Sequence, residues 1–172
     1  PTLDIAVDAL RIGDKPFGAL ALATERSSTG QRLRRFSLSG GIATLNAVGE
    51  WRRSQGMTEA QSRFTVTSDD LAGTLAGLGF APTVSGRNAR IEGDLTWPAA
   101  TRGFNWALAR GTVSLAVEEG ALRTVEPGSG GRVLGLFNFY ALPRRLTLDF
   151  GDVVSKGLGF DQIKGQFKLA AG

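Results

Sequence analysis

The sequence predicts a mainly β fold, a twisted and largely antiparallel sheet carrying two short amphipathic helices. Three observations predict it. Most segments alternate apolar and polar residues with the two-residue period of a half-buried strand. Glycine-, proline- and aspartate-bearing turns break that alternation at short intervals. The period changes to that of a helix in two places only. At 172 residues, 42% hydrophobic and 21% charged, the chain has single-domain size and enough apolar content for a core. No linker divides it, so one domain over residues 1–172 is the economical reading.

The elements follow in order. LDIAVDALRI places Leu3, Ile5 and Val7 on one side of a first strand and Asp4, Ala6 and Asp8 on the other. A turn at Lys15-Pro16 leads to a strand over Phe17–Thr24. Strands over Arg32–Ser39 and Ile42–Trp51 flank Gly40-Gly41, and in the second of them Ala43, Leu45, Ala47, Gly49 and Trp51 share a face. Gln61–Thr67 is a further strand. SDDLAGTLAGLGF then sets Leu71, Leu75 and Leu78 at helical spacing, with Ser68 or Asp69 as N-cap, acids in the first turn and Gly79 as the stop. In ARIEGDLTW, Ile91, Gly93, Leu95 and Trp97 lie together, and Pro98 ends the run. FNWALARGTVSLAVEEGALRTV reads as two or three strands, with Val113, Leu115 and Val117 on one face. A second helix follows PGSGG: Val133, Leu134, Phe137, Tyr140 and Ala141 form its apolar side, and Pro143 closes it. Arg144 and Arg145 then stand where a helix C-terminus favours positive charge. LTLDF and FDQIKGQFKLA return to alternation.

Little in the chain supports chemistry. It has no cysteine and no histidine, which removes disulfides, thiol nucleophiles and the commonest general base and metal ligand. The net charge of +4 reads as a solvated basic surface. GSGGRV lacks both the Lys-Ser/Thr of a P-loop and dinucleotide glycine spacing, so it is a turn capped by Ser129. Asp149-Phe150-Gly151 copies a kinase triplet without its partner lysine or catalytic loop. Asp69-Asp70 and Glu118-Glu119 are explained by a helix start and by opposite faces of a strand. Lys15, Lys156, Lys164 and Lys168 show no spacing that would activate a serine. Arg32, Arg34, Arg35, Arg52 and Arg53 lie in alternating strands without a recognition helix or aromatic RNA signature, and read as solvated sheet edges. No catalytic residue, metal site, cofactor or nucleic-acid partner is expected.

The last third of the chain carries a resemblance. Gly131, Arg132, Leu134, Gly135, Leu136, Leu142, Pro143, Arg144, Arg145, Leu146, Leu148, Asp149 and Phe150, followed by Gly159, Phe160, Asp161, Ile163 and Gly165, match a pattern in the YhdP branch of the AsmA-like proteins. ATLNAVGEW, DDLAGTLAGLGF and IEGDLTWP resemble that family's strand, short-helix and strand motifs upstream. The resemblance implies a curved, taco-like β-groove in a periplasmic protein of diderm bacteria. It implies a tether to the inner membrane through an N-terminal helix outside this sequence, and carriage of phospholipid toward the outer membrane. The first residues, Pro1-Thr-Leu, contain no signal peptide and suggest a piece of a longer chain. Partners implied are phospholipid acyl chains, flanking segments of the same polypeptide, and a membrane surface or envelope proteins.

Small residues such as Ala43, Ala47, Gly49 and Gly93 would relieve crowding on a concave face. The side chains expected to line an apolar groove are Leu45, Trp51, Ile91, Leu95, Trp97, Leu115, Leu148 and Phe167. The same alternation also serves a structural or protein-interaction domain with a dry core. An enzyme would need two of Glu118, Glu119, Asp149, Asp152 and Asp161 to converge in a cleft.

Overall fold

The computed structural model describes residues 2–28, 30–54, 57–99, 106–122 and 158–170. Eight strands occupy most of them: β1 (Leu3–Ile12), β2 (Lys15–Ser27), β3 (Gly30–Gly40), β4 (Thr44–Ser54), β5 (Met57–Ser68), β6 (Val84–Pro98), β7 (Arg110–Leu122) and β8 (Leu158–Leu169). They form one sheet in the order β1-β2-β3-β4-β5-β6-β7-β8, every neighbouring pair antiparallel. The sheet is open and curved, with β1 and β8 at its edges.

Turn chemistry accounts for the hairpins. Gly13 takes φ +60 between β1 and β2, a conformation that a side chain disfavours. The turn therefore sits at Gly13-Asp14, and Lys15 and Pro16 open β2, paired with Ile12 and Arg11. Between β3 and β4, Leu33 pairs with Gly49 and Phe36 with Ala47, leaving Arg34 and Arg35 opposite Val48 in a bulge.

The helix α1 (Leu71–Leu78) links β5 to β6. Its N-cap is Asp70, one residue beyond the expected position, and the Asp70 carboxylate accepts from the Gly73 amide at 2.9 Å. Acids are absent from the first helical turn because both aspartates precede it. Gly79 ends the helix at φ 89, and its amide donates to the Ala76 carbonyl. The second expected helix and the LTLDF strand lie outside the described residues.

Two further expectations are corrected. Within 104–125 the described residues hold a 3-10 turn at Trp106–Leu108 and one strand of 13 residues, not two or three strands. Gly111 (φ +136) and Glu119 (φ 46) look like breaks in the sequence, but the strand keeps its register with β8 through both. The arginines of β3 and β4 are not on sheet edges, since both strands are interior. Arg32, Arg34, Arg35 and Arg52 stand on the sheet's polar face, where Glu25, Asp4 and Glu50 meet them.

Candidate functional site

Residues directly opposite in an antiparallel ladder project to the same face, so the register shows which side chains assemble. One cross-strand row reads Val7, Leu20, Leu38, Leu45, Val66, Ile91, Leu115 and Gly165. The next reads Ile5, Leu22, Phe36, Ala47, Phe64, Gly93, Val113 and Phe167, and the third Leu3, Thr24, Leu33, Gly49, Ser62, Leu95, Gly111 and Leu169. A fourth, shorter row contains Gln31, Trp51, Ala60 and Trp97. The first three rows cross all eight strands on one face without a charged side chain.

The burial of this face is uneven. Leu95 and Val117 are 2% exposed, whereas Leu3 and Ile5 at the β1 edge are 44% and 41% exposed and Trp51 is 36%. Among the described residues no large side chain is completely enclosed. The closest backbone approaches run between neighbouring strands and between α1 and β6. Phe64 leans over Gly93, where any side chain would collide with its ring. A small residue under a large one lets the rows interdigitate.

Polar atoms on the face are occupied. The Thr24 hydroxyl accepts from the Leu3 amide at 3.2 Å and from the Gln31 side chain at 3.0 Å. Ser62 donates to the Val48 carbonyl at 3.0 Å. Ser68, which lies opposite Ala89 one step beyond the first row, shares a 2.7 Å hydrogen bond with Thr74 of α1. Thr74 in turn donates to the Ile42 carbonyl at 2.6 Å. Through these bonds α1 is tied down over one end of the apolar face, and Ala89 beneath it is 5% exposed.

The opposite face is polar and cross-paired. Arg32 and Arg34 meet Glu25, Arg35 meets Asp4, Arg52 meets Glu50, Arg63 meets Asp94 and Arg90 meets Glu92. Hydrogen bonds from Gln61 and then from Arg63 hold the Asp94 carboxyl below its ordinary value, against a smaller opposing effect of burial. A shallow depression of about 580 Å³ on this face is bordered by Arg34, Arg35, Asn46, Arg63, Thr65 and Glu92.

Of the side chains expected to line a groove, Leu45, Trp51, Ile91, Leu95, Trp97, Leu115 and Phe167 fall on the single apolar face. Leu148 lies outside the described residues. The expectation missed the contribution of β1–β3, where Ile5, Leu20, Leu22, Leu33, Phe36 and Leu38 continue the same rows. Their alternation was the available signal, but the bulge at Arg34-Arg35 shifts its phase in β3. Glu118 accepts from Asn88 at 2.9 Å and from Gln162 at 3.3 Å, Glu119 pairs with Arg87 at 4.0 Å, and Asp161 is exposed. Asp149 and Asp152 lie outside the described residues. No group of three acidic, histidine or cysteine side chains is placed to hold a metal among the described residues.

An open, curved, antiparallel sheet with one continuous apolar face and a charge-paired reverse defines a β-groove protein. The chain belongs to the YhdP family, whose model, described as YhdP protein, matches residues 1–172. It is 24% identical over 124 residues to the intermembrane phospholipid transporter YhdP of Escherichia coli (strain K12), a match covering 72% of this chain and 10% of that protein. The match thus spans about a tenth of that relative's length. No solved structure matches the chain.

Proposed function

We propose that this chain is a non-enzymatic segment of a periplasmic lipid conduit, whose apolar face carries phospholipid acyl chains between the inner and outer membranes. The observation that carries the reading is the set of three uncharged rows crossing eight strands. That the Escherichia coli relative is an intermembrane phospholipid transporter supports the choice of lipid as cargo. The segment acts as one unit of a longer chain, tethered to the inner membrane by an N-terminal helix beyond this sequence. Among the described residues, no helix is long and apolar enough to cross a membrane.

The physics is that of buried area. Seven strand spacings of about 4.8 Å make the face roughly 34 Å across before curvature, and four rows about 6.8 Å apart make it about 20 Å deep. One leaflet's share of a bilayer's hydrocarbon core is about 15 Å, so an acyl chain fits within that depth. Burial contributes about 25 cal/mol per Å² of apolar surface, less the cost of association. The hydroxyls of Thr24, Ser62 and Ser68 are engaged within the protein. They therefore offer a passing chain no strong directional hold, which suits movement along the face.

Photoreactive side chains at Leu45 and Leu115 in the full-length protein, irradiated in cells, should capture phospholipid. Absence of capture from a functional protein refutes the conduit. The near-complete burial of Leu95 and Val117 favours a second reading, a structural or protein-interaction sheet with a dry interior. Native mass spectrometry separates the two: bound phospholipid supports the conduit, and lipid-free protein or an edge-paired dimer supports the structural domain.

A further inference from the structure

The arginines of β2 to β6 fall into two groups. Arg32, Arg34, Arg35, Arg52, Arg63, Arg87 and Arg90 each meet a carboxylate. Arg26 and Arg53 are exposed and make no ion pair with the described residues. Their positions differ as well. In β2 the alternation Leu20, Leu22, Thr24 continues to Arg26, and in β4 the alternation Ala47, Gly49, Trp51 continues to Arg53. Both therefore belong to the apolar face, at its margin farthest from α1. Arg26 pairs in register with Gln31, and Gln31 with Trp51.

We propose that Arg26 and Arg53 seat the phosphate of a phospholipid whose acyl chains lie on the apolar rows. This seat rests on the conduit reading and adds to it a fixed headgroup position. Guanidinium matches phosphate oxygens with paired donors, and a cation without a carboxylate partner gains most from a new anion. The other seven arginines of β3 to β6 already have carboxylate partners. Two strand spacings and one residue pair separate the two positions, about 12 Å between backbones, so two long side chains can converge on one phosphodiester. From Arg26 up β2 to Leu20 is about 20 Å of strand, enough for one acyl chain. The lipid thus lies along the strands, with its headgroup at the arginine margin and its tails toward the end tied down by Ser68 and Thr74.

The test uses the full-length protein with a photoreactive side chain at Leu45, in the same cross-strand row as Leu20 where the tails end, loaded from vesicles containing phosphatidylglycerol or diacylglycerol. Arg26→Gln with Arg53→Gln should lower phosphatidylglycerol capture about tenfold, the effect of losing a charge-assisted contact, and leave diacylglycerol capture unchanged. Replacing both by lysine should restore most of the phosphatidylglycerol capture, because the charge remains. Unchanged phosphatidylglycerol capture in the double glutamine variant overturns the seat and leaves the conduit standing. An equal loss of diacylglycerol capture also overturns it, since a phosphate seat does not act on a lipid without phosphate. If the unsubstituted protein captures neither lipid, conduit and seat fall together. Phosphorus NMR with inorganic phosphate addresses the other source of this anion. Arginine-dependent binding of free phosphate that blocks no lipid capture assigns the pair to a soluble anion and overturns the lipid seat.

Discussion

Leu95→Ala measures how tightly the apolar face is packed against itself. Leu95 is 2% exposed, and its row neighbours are Ser62 and Gly111, whose side chains are too small to fill a vacated space. At about 0.8 kcal/mol per methylene-sized group, the lost carbons account for about 2.4 kcal/mol. The cavity term raises the loss to about 3–4 kcal/mol. Leu3, in the same row but 44% exposed at the β1 edge, should lose only about 1 kcal/mol on truncation to alanine. Urea unfolding followed through tryptophan fluorescence reads both. With a slope of about 2 kcal/mol per molar, the Leu95 variant should unfold roughly 1.5–2 M earlier and the Leu3 variant about 0.5 M earlier. Equal shifts, or a Leu95 shift below about 0.5 M, would refute the packing argument. The row would then be collapsible at its centre, and register alone would be a poor guide to its energetics.

Gly111→Ala should destabilise by about 2–4 kcal/mol, because φ +136 disfavours a side chain and a methyl there would overlap the Asp94 carbonyl. Thermal unfolding checks this, and a change under about 1 kcal/mol would count against the local geometry. Asp94 has a depressed value, so its contribution is whole above the unfolded carboxylate value of about 3.9 and is lost as pH falls through the lower folded value. Asp94→Asn should therefore flatten the acid limb of the stability curve, by less than about 1 kcal/mol because the pair with Arg63 is exposed; an unchanged slope contradicts the assignment. Asp70→Ala removes the α1 cap and should weaken amide-exchange protection in α1 by about 1 kcal/mol while β3 and β4 keep theirs. A uniform loss across the sheet would show instead that the cap acts on the whole fold.

Much of the sheet was legible in the sequence because its two faces differ so sharply in polarity. Alternation in β1, β4 and β6 gave both element type and the inward face, and Gly79 marked the end of α1 by its conformational freedom. What alternation does not carry is strand order, since each strand's pattern is compatible with several neighbours. Breaks in phase were also misleading. Arg34-Arg35 makes a bulge inside β3 that shifts the phase of its alternation, and Glu119 takes φ 46 inside β7, where the sequence suggested a strand end. The Lys15-Pro16 reading placed the first turn late because proline commonly opens turns, whereas here Gly13 makes the turn. The residues of the apolar face were recognisable in β4, β6, β7 and β8. The share contributed by β1–β3 became evident only from the register.

The strand order has a consequence for how such a chain is made and lengthened. From β1 to β7 each strand pairs with the strand that precedes it at short separation in the chain, so this part of the sheet can zip up strand by strand with small loop-closure costs. Assembly need not wait for a distant carboxyl terminus to arrive. Stability then approximates a sum of nearest-neighbour terms, as in repeat arrays. Inserting or deleting one hairpin would disturb two interfaces and leave the rest of the ladder intact, giving evolution a simple ruler for setting length.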